Sequence, residues 1–123
     1  MNKLITTILI IGTLLFLASC ATSMLPKKVN RTLPRMTKAN SISKPEADEA
    51  VKANRCIYLV RDREYVAPVT NTVKGDLRNG AKGIDQWVNI DGGNTYALVS
   101  YKWVQVDDES TQLYIEFDTM LCE

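Results

Sequence analysis

The stretch Gln112-Leu113-Tyr114-Ile115-Glu116-Phe117-Asp118, near the end of the chain, decides the class of the fold. Apolar and polar residues alternate along it, which is the pattern of a β-strand with one buried face. Leu113, Ile115 and Phe117 are therefore expected to point into the core. The outward positions are Gln112, Tyr114, Glu116 and Asp118. The pattern predicts that this strand is part of a sheet.

More strands are predicted upstream of this stretch. Residues 56–61 are β-branched and aromatic, which favours a strand. Residues 65–69 are interrupted by Pro68, so they suit an edge strand or an irregular segment. Residues 86–90 and 95–106 flank Asp91-Gly92-Gly93-Asn94, a sequence typical of a tight hairpin turn. A shift in the apolar pattern predicts a bulge near Trp103.

Helix signals occur mainly before the first strand. Ser43 and Glu46 have capping-box spacing, and Pro45 is tolerated in a first helical turn. The glycine-rich residues 75–83 indicate a flexible loop. The expected fold is mainly β, a small antiparallel sheet, sandwich or open barrel of about five strands with one short N-terminal helix. This domain is expected over residues 43–123.

The start of the chain has the features of an export signal. A basic residue, Lys3, precedes an uncharged run over residues 4–17. The run is too short for a membrane-spanning helix, which needs about 20 residues, but it has the length of a secretory signal. An ordinary signal peptide, in which Cys20 is incidental, and an uncleaved anchor are both alternatives.

The run ends in Leu17-Ala18-Ser19-Cys20, which resembles the lipobox of bacterial lipoproteins. The resemblance implies that residues 1–19 are removed and that Cys20 carries lipid. In that family, Asp after the cysteine retains the protein at the inner membrane, whereas Ala21 follows here. It therefore implies the periplasmic face of the outer membrane in a Gram-negative cell. In a Gram-positive host the same lipid would hold the protein at the plasma membrane.

Residues 20–42 are interpreted as a flexible basic tether that starts at the lipidated cysteine. Pro26 and Pro34 and the lack of a sustained apolar period argue against packed structure. The segment from Ala21 to Lys44 contains no acidic residue. Its basic residues are Lys27, Lys28, Arg31, Arg35, Lys38 and Lys44. Such a segment either lies on anionic lipid headgroups or is a solvated linker.

Two cysteines remain besides Cys20, namely Cys56 and Cys122. In an oxidising compartment an even pair predicts a disulfide, and two free thiols are the alternative. A disulfide would close a loop of nearly the whole domain. Small exported domains often need this kind of covalent support, because their hydrophobic cores are small.

Little in the sequence indicates catalysis. Histidine, the commonest general base and zinc ligand, is absent. The chain lacks a phosphate-binding loop, a dinucleotide fingerprint and a nucleophile elbow. The turn at Asp107-Asp108-Glu109 and the pair Asp91 and Asn94 have calcium-binding chemistry, but such residues are also common in turns. We expect no enzymatic activity, cofactor or metal, and no nucleic-acid partner, because the basic residues lie in the tether of an exported chain.

Aromatic residues are better functional candidates. Trp and Tyr are enriched at protein interfaces, although large aromatic residues also form the cores of small domains. The aromatic candidates are those of the two predicted hairpin regions, namely Trp87, Tyr96, Tyr101, Trp103 and Tyr114. Tyr114 shares the polar face of the last strand and is the candidate contact residue. The expected function is a non-enzymatic binding or accessory module that contacts an envelope protein.

The position of the two cysteines, one at the first strand and one at the last, resembles the membrane-bound lysozyme inhibitors of the C type. This resemblance implies an alternative function as a periplasmic lysozyme inhibitor. The family carries a Ser-Gly-x-x-Tyr loop. The nearest stretch here, Gly92-Gly93-Asn94-Thr95-Tyr96, lacks the serine, so no inhibitory residue is assigned.

Overall fold

The computed structural model describes residues 26–123, with side chains from Val29 onward. They form three helices and four strands. In chain order these are α1 (Pro26–Met36), β1 (Asn40–Ile42), α2 (Lys44–Lys52), β2 (Cys56–Val66), α3 (Val73–Ile90), β3 (Thr95–Gln105) and β4 (Thr111–Cys122). The strands make one open sheet in the order β1-β3-β4-β2. β1 runs parallel to β3, and the other neighbours are antiparallel, so the sheet is mixed.

The sheet lies between two helical layers of unequal size. α1 and α3 cover one face, here called the inner face, where Leu33 of α1 and Leu77 of α3 pack with Phe117 of β4. The shorter α2 covers one end of the opposite face, the outer face, where Ala47 packs with Met120. The described fold is therefore a three-layer arrangement with helix and strand in similar proportion. The mainly β prediction is correct in part, since the sheet is open and a short helix precedes β2, but the sheet is mixed and has four strands, and the described residues form three helices rather than one.

α3 occupies residues that the sequence pattern assigned to a loop and to a strand. Thr72 caps the helix, since its side chain accepts a hydrogen bond from the Gly75 N–H at 3.0 Å. The buried residues Leu77, Ala81, Ile84 and Val88 follow helical spacing. The predicted loop at 75–83 and the predicted strand at 86–90 are both wrong, because this apolar period extends through the glycines.

The glycines of α3 permit close packing rather than chain flexibility. A Cβ at Gly80 would lie 2.6 Å from the Ile115 side chain, and one at Gly83 would overlap the Tyr65 ring. The helix therefore approaches the sheet more closely than a residue with a side chain would allow. Its stability comes from this packing, which offsets the low helix propensity of glycine. Asp91 to Asn94 then connect a helix to a strand, with Gly92 at φ 79°.

The alternation of β4 is confirmed at its apolar positions. Leu113, Ile115 and Phe117 are buried against the inner-face helices. Asp118 is a correction, because it points to the outer face as expected but is fully buried there. Its carboxylate accepts hydrogen bonds from Lys44 Nζ and from the Asp62 N–H, the latter at 2.7 Å. Those two donors make burial of a carboxylate possible.

The bulge in β3 occurs earlier than predicted. The register with β4 shifts between Leu98 and Ser100, not near Trp103. As a result Leu98 and Tyr101 both pack on the inner face, although three positions separate them. Pro68 lies outside the strands, and the predicted strand at 65–69 is instead the end of β2 followed by irregular chain.

The first described helix and strand replace most of the predicted tether. α1 packs on α3 through the buried Val29 and Leu33, and β1 pairs with the start of β3. Residues 26–42 are therefore part of the folded unit. The folded unit includes residues before Ser43, where the sequence had placed its start. The amphipathic face of α1 is short and contains Pro34, so the sequence pattern did not predict this helix. The predicted signal peptide, residues 1–19, and the predicted lipidation site at Cys20 lie outside the described residues.

The helix at Ser43 is confirmed. α2 begins at Lys44, the Ser43 Oγ accepts the Glu46 N–H at 3.4 Å, and Pro45 lies in the first turn. Ala47 and Ala50 bury its inner side. Within residues 26–123, none of the helices is long and apolar enough to cross a bilayer.

The predicted disulfide between Cys56 and Cys122 is formed. The two cysteines are directly opposed at the first residue of β2 and the last of β4. They are separated by 66 residues in sequence. A loop of that length gives an expected stabilisation of about 4 kcal/mol through the unfolded chain.

Candidate functional site

The candidate site is the part of the outer face that no described helix covers, here called the open sheet face. α2 covers only the end of the sheet near Cys56 and Met120. Beyond it, opposed residues of the three long strands project from the same face. The open sheet face consists of Glu64, Val66, Ser100, Lys102, Val104, Gln112, Tyr114 and Glu116.

Tyr114 lies in the middle of this face. Val66 of β2 and Lys102 of β3 oppose it on its two sides. The Lys102 Nζ is 5.3 Å from the centroid of the Tyr114 ring, so the ammonium lies over the aromatic face. Tyr114 is half-buried, whereas Val66 is 43% exposed and Val104 is 38% exposed. The centre of the open sheet face therefore offers aromatic and aliphatic surface to solvent.

Two carboxylates lie beside this apolar centre. Glu64 of β2 directly opposes Glu116 of β4, and like charges in this position repel each other. Ser100 Oγ donates a hydrogen bond to Glu116 Oε2 at 3.1 Å. In the described part of the chain neither glutamate forms a salt bridge. The two glutamates make an anionic spot, and together with Lys102 and Tyr114 they line a groove of about 520 Å³.

A polar cluster joins α2 to the sheet at the border of the open sheet face. Lys44 Nζ donates to the buried Asp118 and, at 3.3 Å, to Tyr58 Oη, while Tyr58 Oη donates to Asp48. Desolvation acts to lower the pKa of Lys44, but the hydrogen bonds to Asp118 and Tyr58 outweigh it and the pKa is raised. Burial and the bond to Asp48 raise the pKa of Tyr58. Both groups therefore stay protonated at neutral pH, which suits a structural link and not a general base.

The carboxylates on the helical side of the sheet are fully engaged. Asp76, which is fully buried, accepts hydrogen bonds from Thr70, Thr111 and the Trp103 Nε1, the last at 3.0 Å. Asp91 accepts two bonds from Arg63, at 2.6 and 2.9 Å. These contacts hold α3 to the strands. They also occupy the oxygens of both carboxylates with hydrogen bonds inside the protein.

Four of the five aromatic candidates belong to the inner side of the sheet. Tyr96 is fully buried, and its hydroxyl lies 3.2 Å from the Thr37 Oγ1. Tyr101 and Trp103 pack edge to face with ring centroids 5.7 Å apart. The Arg63 guanidinium carbon lies 3.8 Å from the centroid of the Trp87 ring. Tyr114 alone lies on the open sheet face, so the structure separates it from the others.

In the turns with calcium-binding composition, several side-chain oxygens already accept hydrogen bonds within the protein. Asp107 Oδ1 accepts the Glu109 N–H at 2.9 Å. Asn94 Oδ1 accepts the Cys122 N–H at 2.9 Å, and its amide donates to the Cys122 carbonyl at 2.7 Å. Over residues 26–123, no three acidic or cysteine side chains are grouped so that they could hold a metal ion.

The sequence placed Tyr114 on the outward side of β4 with Gln112 and Glu116, but it did not predict the neighbours that other strands supply. Val66, Lys102 and Glu64 join it only through the strand register. Their own strands carry an irregular polar pattern, because both β2 and β3 contain register shifts. The alternation of apolar and polar residues in β4 was the sequence signal for the outward face. It describes one strand and carries no information on the strands beside it.

The chain matches no protein-family model, no curated protein and no solved structure. The resemblance to lysozyme inhibitors stays a prediction that inhibition of a C-type lysozyme would test. Its loop tyrosine would correspond to Tyr96, which the fold uses in its core.

Proposed function

We propose that the chain is a lipoprotein of the outer membrane whose domain acts as a non-enzymatic binding module on the periplasmic side. The open sheet face is the observation that carries this proposal. It presents Tyr114 with the exposed Val66 and Val104 beside it. Aromatic residues with an aliphatic surround are typical of the energetically important centre of a protein interface.

The sequence before the described residues supports the anchor. Leu17-Ala18-Ser19-Cys20 would place lipid on Cys20, and Ala21 in place of Asp favours the outer membrane. The disulfide between Cys56 and Cys122 agrees with an exported chain, since disulfides persist in oxidising compartments. Anchoring raises the local concentration of the module near membrane partners.

The charge of the open sheet face indicates the chemistry of the partner. Glu64 and Glu116 face each other, and neither forms a salt bridge among the described residues, although Lys102 lines the same groove. A Lys or Arg from a partner would relieve their repulsion and form charge-assisted hydrogen bonds. Tyr114 would contact an apolar patch beside that cation. We therefore assign the face to an envelope protein with an apolar surface and an adjacent basic side chain.

Site-specific photo-cross-linking in intact cells tests this proposal. A photoreactive phenylalanine analogue replaces Tyr114 in the full chain. The matched control carries the same analogue at Gln86, which is exposed on α3 on the other side of the sheet. We expect a light-dependent adduct with an envelope protein from position 114 only, and a cross-linked peptide that contains Lys or Arg. Changing Glu64 and Glu116 to Lys should strongly reduce the adduct.

Equal adducts from both positions would contradict a specific face. So would the absence of an adduct from position 114 when the variant is folded, as judged by an intact disulfide and an unchanged melting temperature. An adduct that survives the Glu→Lys changes unaltered would refute the assigned partner chemistry.

A further inference from the structure

Many of the exposed positions of α1 and α3 are basic. On α3, Lys74, Arg78 and Lys82 follow one another at intervals of four residues, so they share one side of the helix. On α1, Arg31 and Arg35 have the same spacing, and Lys38 follows the helix. All six side chains are exposed. The set Arg31, Arg35, Lys38, Lys74, Arg78 and Lys82 is here called the basic helical face.

The charge of this face is not neutralised within the folded unit. Across residues 29–123, whose side chains are described, none of the six cations forms a salt bridge. α1 contains no acidic residue. α3 contains Asp76, which is buried, and Asp85, whose oxygens accept the Lys38 and Ala39 N–H groups at 2.8 to 3.0 Å. The acids of this layer therefore satisfy internal donors and leave the cations free.

Three of the cations line one groove. Lys38, Arg78 and Lys82 surround a cavity of about 810 Å³ between the end of α1 and the exposed side of α3. Asp85 is the acidic residue of its wall, and its two oxygens are occupied by backbone donors. A guanidinium and two ammonium groups around a groove suit a phosphate group, because Arg binds phosphate through paired hydrogen bonds.

The chain before α1 indicates which phosphate-bearing surface is within reach. Pro26 follows Cys20 by six residues, and even a fully extended chain of that length spans only about 20 Å. If Cys20 carries the lipid, the start of α1 cannot leave the neighbourhood of the membrane. Electrostatic attraction between basic side chains and anionic headgroups acts over about 10 Å at ordinary ionic strength.

We infer that the basic helical face lies on the anionic phospholipid headgroups of the membrane that holds the lipid anchor, with phosphate groups in the Lys38–Arg78–Lys82 groove. The inference rests on the proposed anchoring at Cys20. It also orients the domain, because the open sheet face is on the opposite side of the sheet and then points away from the membrane. That opposite side carries exposed acids, among them Glu46, Glu49 and Glu64, which the membrane would repel.

Amine footprinting of the full lipoprotein in vesicles tests the inference. The protein is reconstituted into phosphatidylcholine vesicles and into vesicles that also contain phosphatidylglycerol. Labelling rates at each lysine are then read by mass spectrometry. We expect Lys38, Lys74 and Lys82 to react several-fold more slowly in the anionic vesicles, and high salt to remove the difference. The exposed Lys52 and Lys102, on the other side of the sheet, are the internal controls and should not change.

Charge-reversal variants sharpen the test. Lys74→Glu, Arg78→Glu and Lys82→Glu together should abolish the protection of Lys38. The matched control, Lys52→Glu with Arg55→Glu and Arg61→Glu, reverses three exposed charges on the other side of the sheet and should retain it. Equal labelling rates in the two kinds of vesicle would overturn the inference. Protection by dissolved polyphosphate but not by anionic vesicles would also overturn it and assign the face to a soluble polyanion.

Flotation with the phosphatidylcholine vesicles separates this inference from the proposed anchor. A protein that floats but shows no lipid-dependent protection contradicts the membrane contact alone. A protein that does not float contradicts the lipid anchor itself.

Discussion

Single buried or half-buried side chains connect the layers of this fold. The Asp91 carboxylate, at the end of α3, receives two hydrogen bonds from Arg63 and one from the Thr119 hydroxyl at 2.7 Å. The Arg63 guanidinium in turn lies on the Trp87 ring. Since the Asp91 side chain is only 6% exposed, water competes weakly for these bonds. This contact joins the last turn of α3 to both β2 and β4.

The hydrogen bonds from Arg63 lower the pKa of Asp91, burial opposes the shift, and the bond from Thr119 adds to it. A carboxyl whose pKa is lower in the folded state stabilises the fold above its unfolded pKa, about 4, and loses that contribution as the pH falls through the folded pKa. Asp91→Asn should therefore destabilise the protein at neutral pH by about 1.5–3 kcal/mol. The difference from wild type should shrink below about pH 4. Chemical unfolding across this pH range measures both.

Asp108→Asn is the control, since it removes the same charge from an exposed turn residue. It should leave stability nearly unchanged at neutral pH. If Asp91→Asn is also nearly neutral there, or if its effect does not depend on pH, the Arg63–Asp91 contact does not hold α3 as described.

At the scale of elements, α3 depends on close approach to the strands. A Cβ at Gly83 would overlap the Tyr65 ring, whereas one at Gly80 would meet the flexible ends of Ile115 and Leu113. Alanine raises helix propensity by about 1 kcal/mol at either position, so propensity does not distinguish the two. Overpacking a dense site costs about 1–3 kcal/mol, and the rigid ring gives less room for relaxation.

Gly83→Ala should consequently destabilise the protein, and more than Gly80→Ala does. Denaturant unfolding of both variants, and of Gly83→Ala combined with Tyr65→Ala, measures the effect. The smaller side chain at position 65 should remove most of the penalty specific to Gly83. A Gly83→Ala protein that is more stable than wild type would show that the helix does not need this contact.

The elements that could be predicted from the sequence are those whose pattern is local. The alternation at Leu113, Ile115 and Phe117 predicted the inward side of β4, and the Ser43 cap predicted the start of α2. α3 could not be read in this way, because its glycines are explained only by Tyr65 and Ile115, which other elements supply. The strand register that gathers the open sheet face is likewise a property of the assembled sheet. Of the open sheet face, the sequence therefore placed only the β4 residues Gln112, Tyr114 and Glu116, and it singled out Tyr114 as a contact residue.

At the scale of the whole molecule, the two sides of the sheet differ in chemistry. The helical side presents cations such as Arg78 that form no salt bridge among the described residues, and the open sheet face presents Tyr114 beside the pair Glu64 and Glu116. A near-neutral formal charge of +1 conceals this division. A lipid at Cys20 would place the helical side toward the membrane and the open sheet face toward a partner.

The lipid on Cys20 is the central claim, since the orientation and the reach of the domain both follow from it. Metabolic labelling with a palmitate analogue, followed by membrane fractionation, tests it most directly. We expect the wild-type chain to incorporate the label and to fractionate with the outer membrane in a Gram-negative host, and Cys20→Ser to remain unlabelled. Equal labelling of the two chains, or no labelling of the exported wild type, would contradict the account.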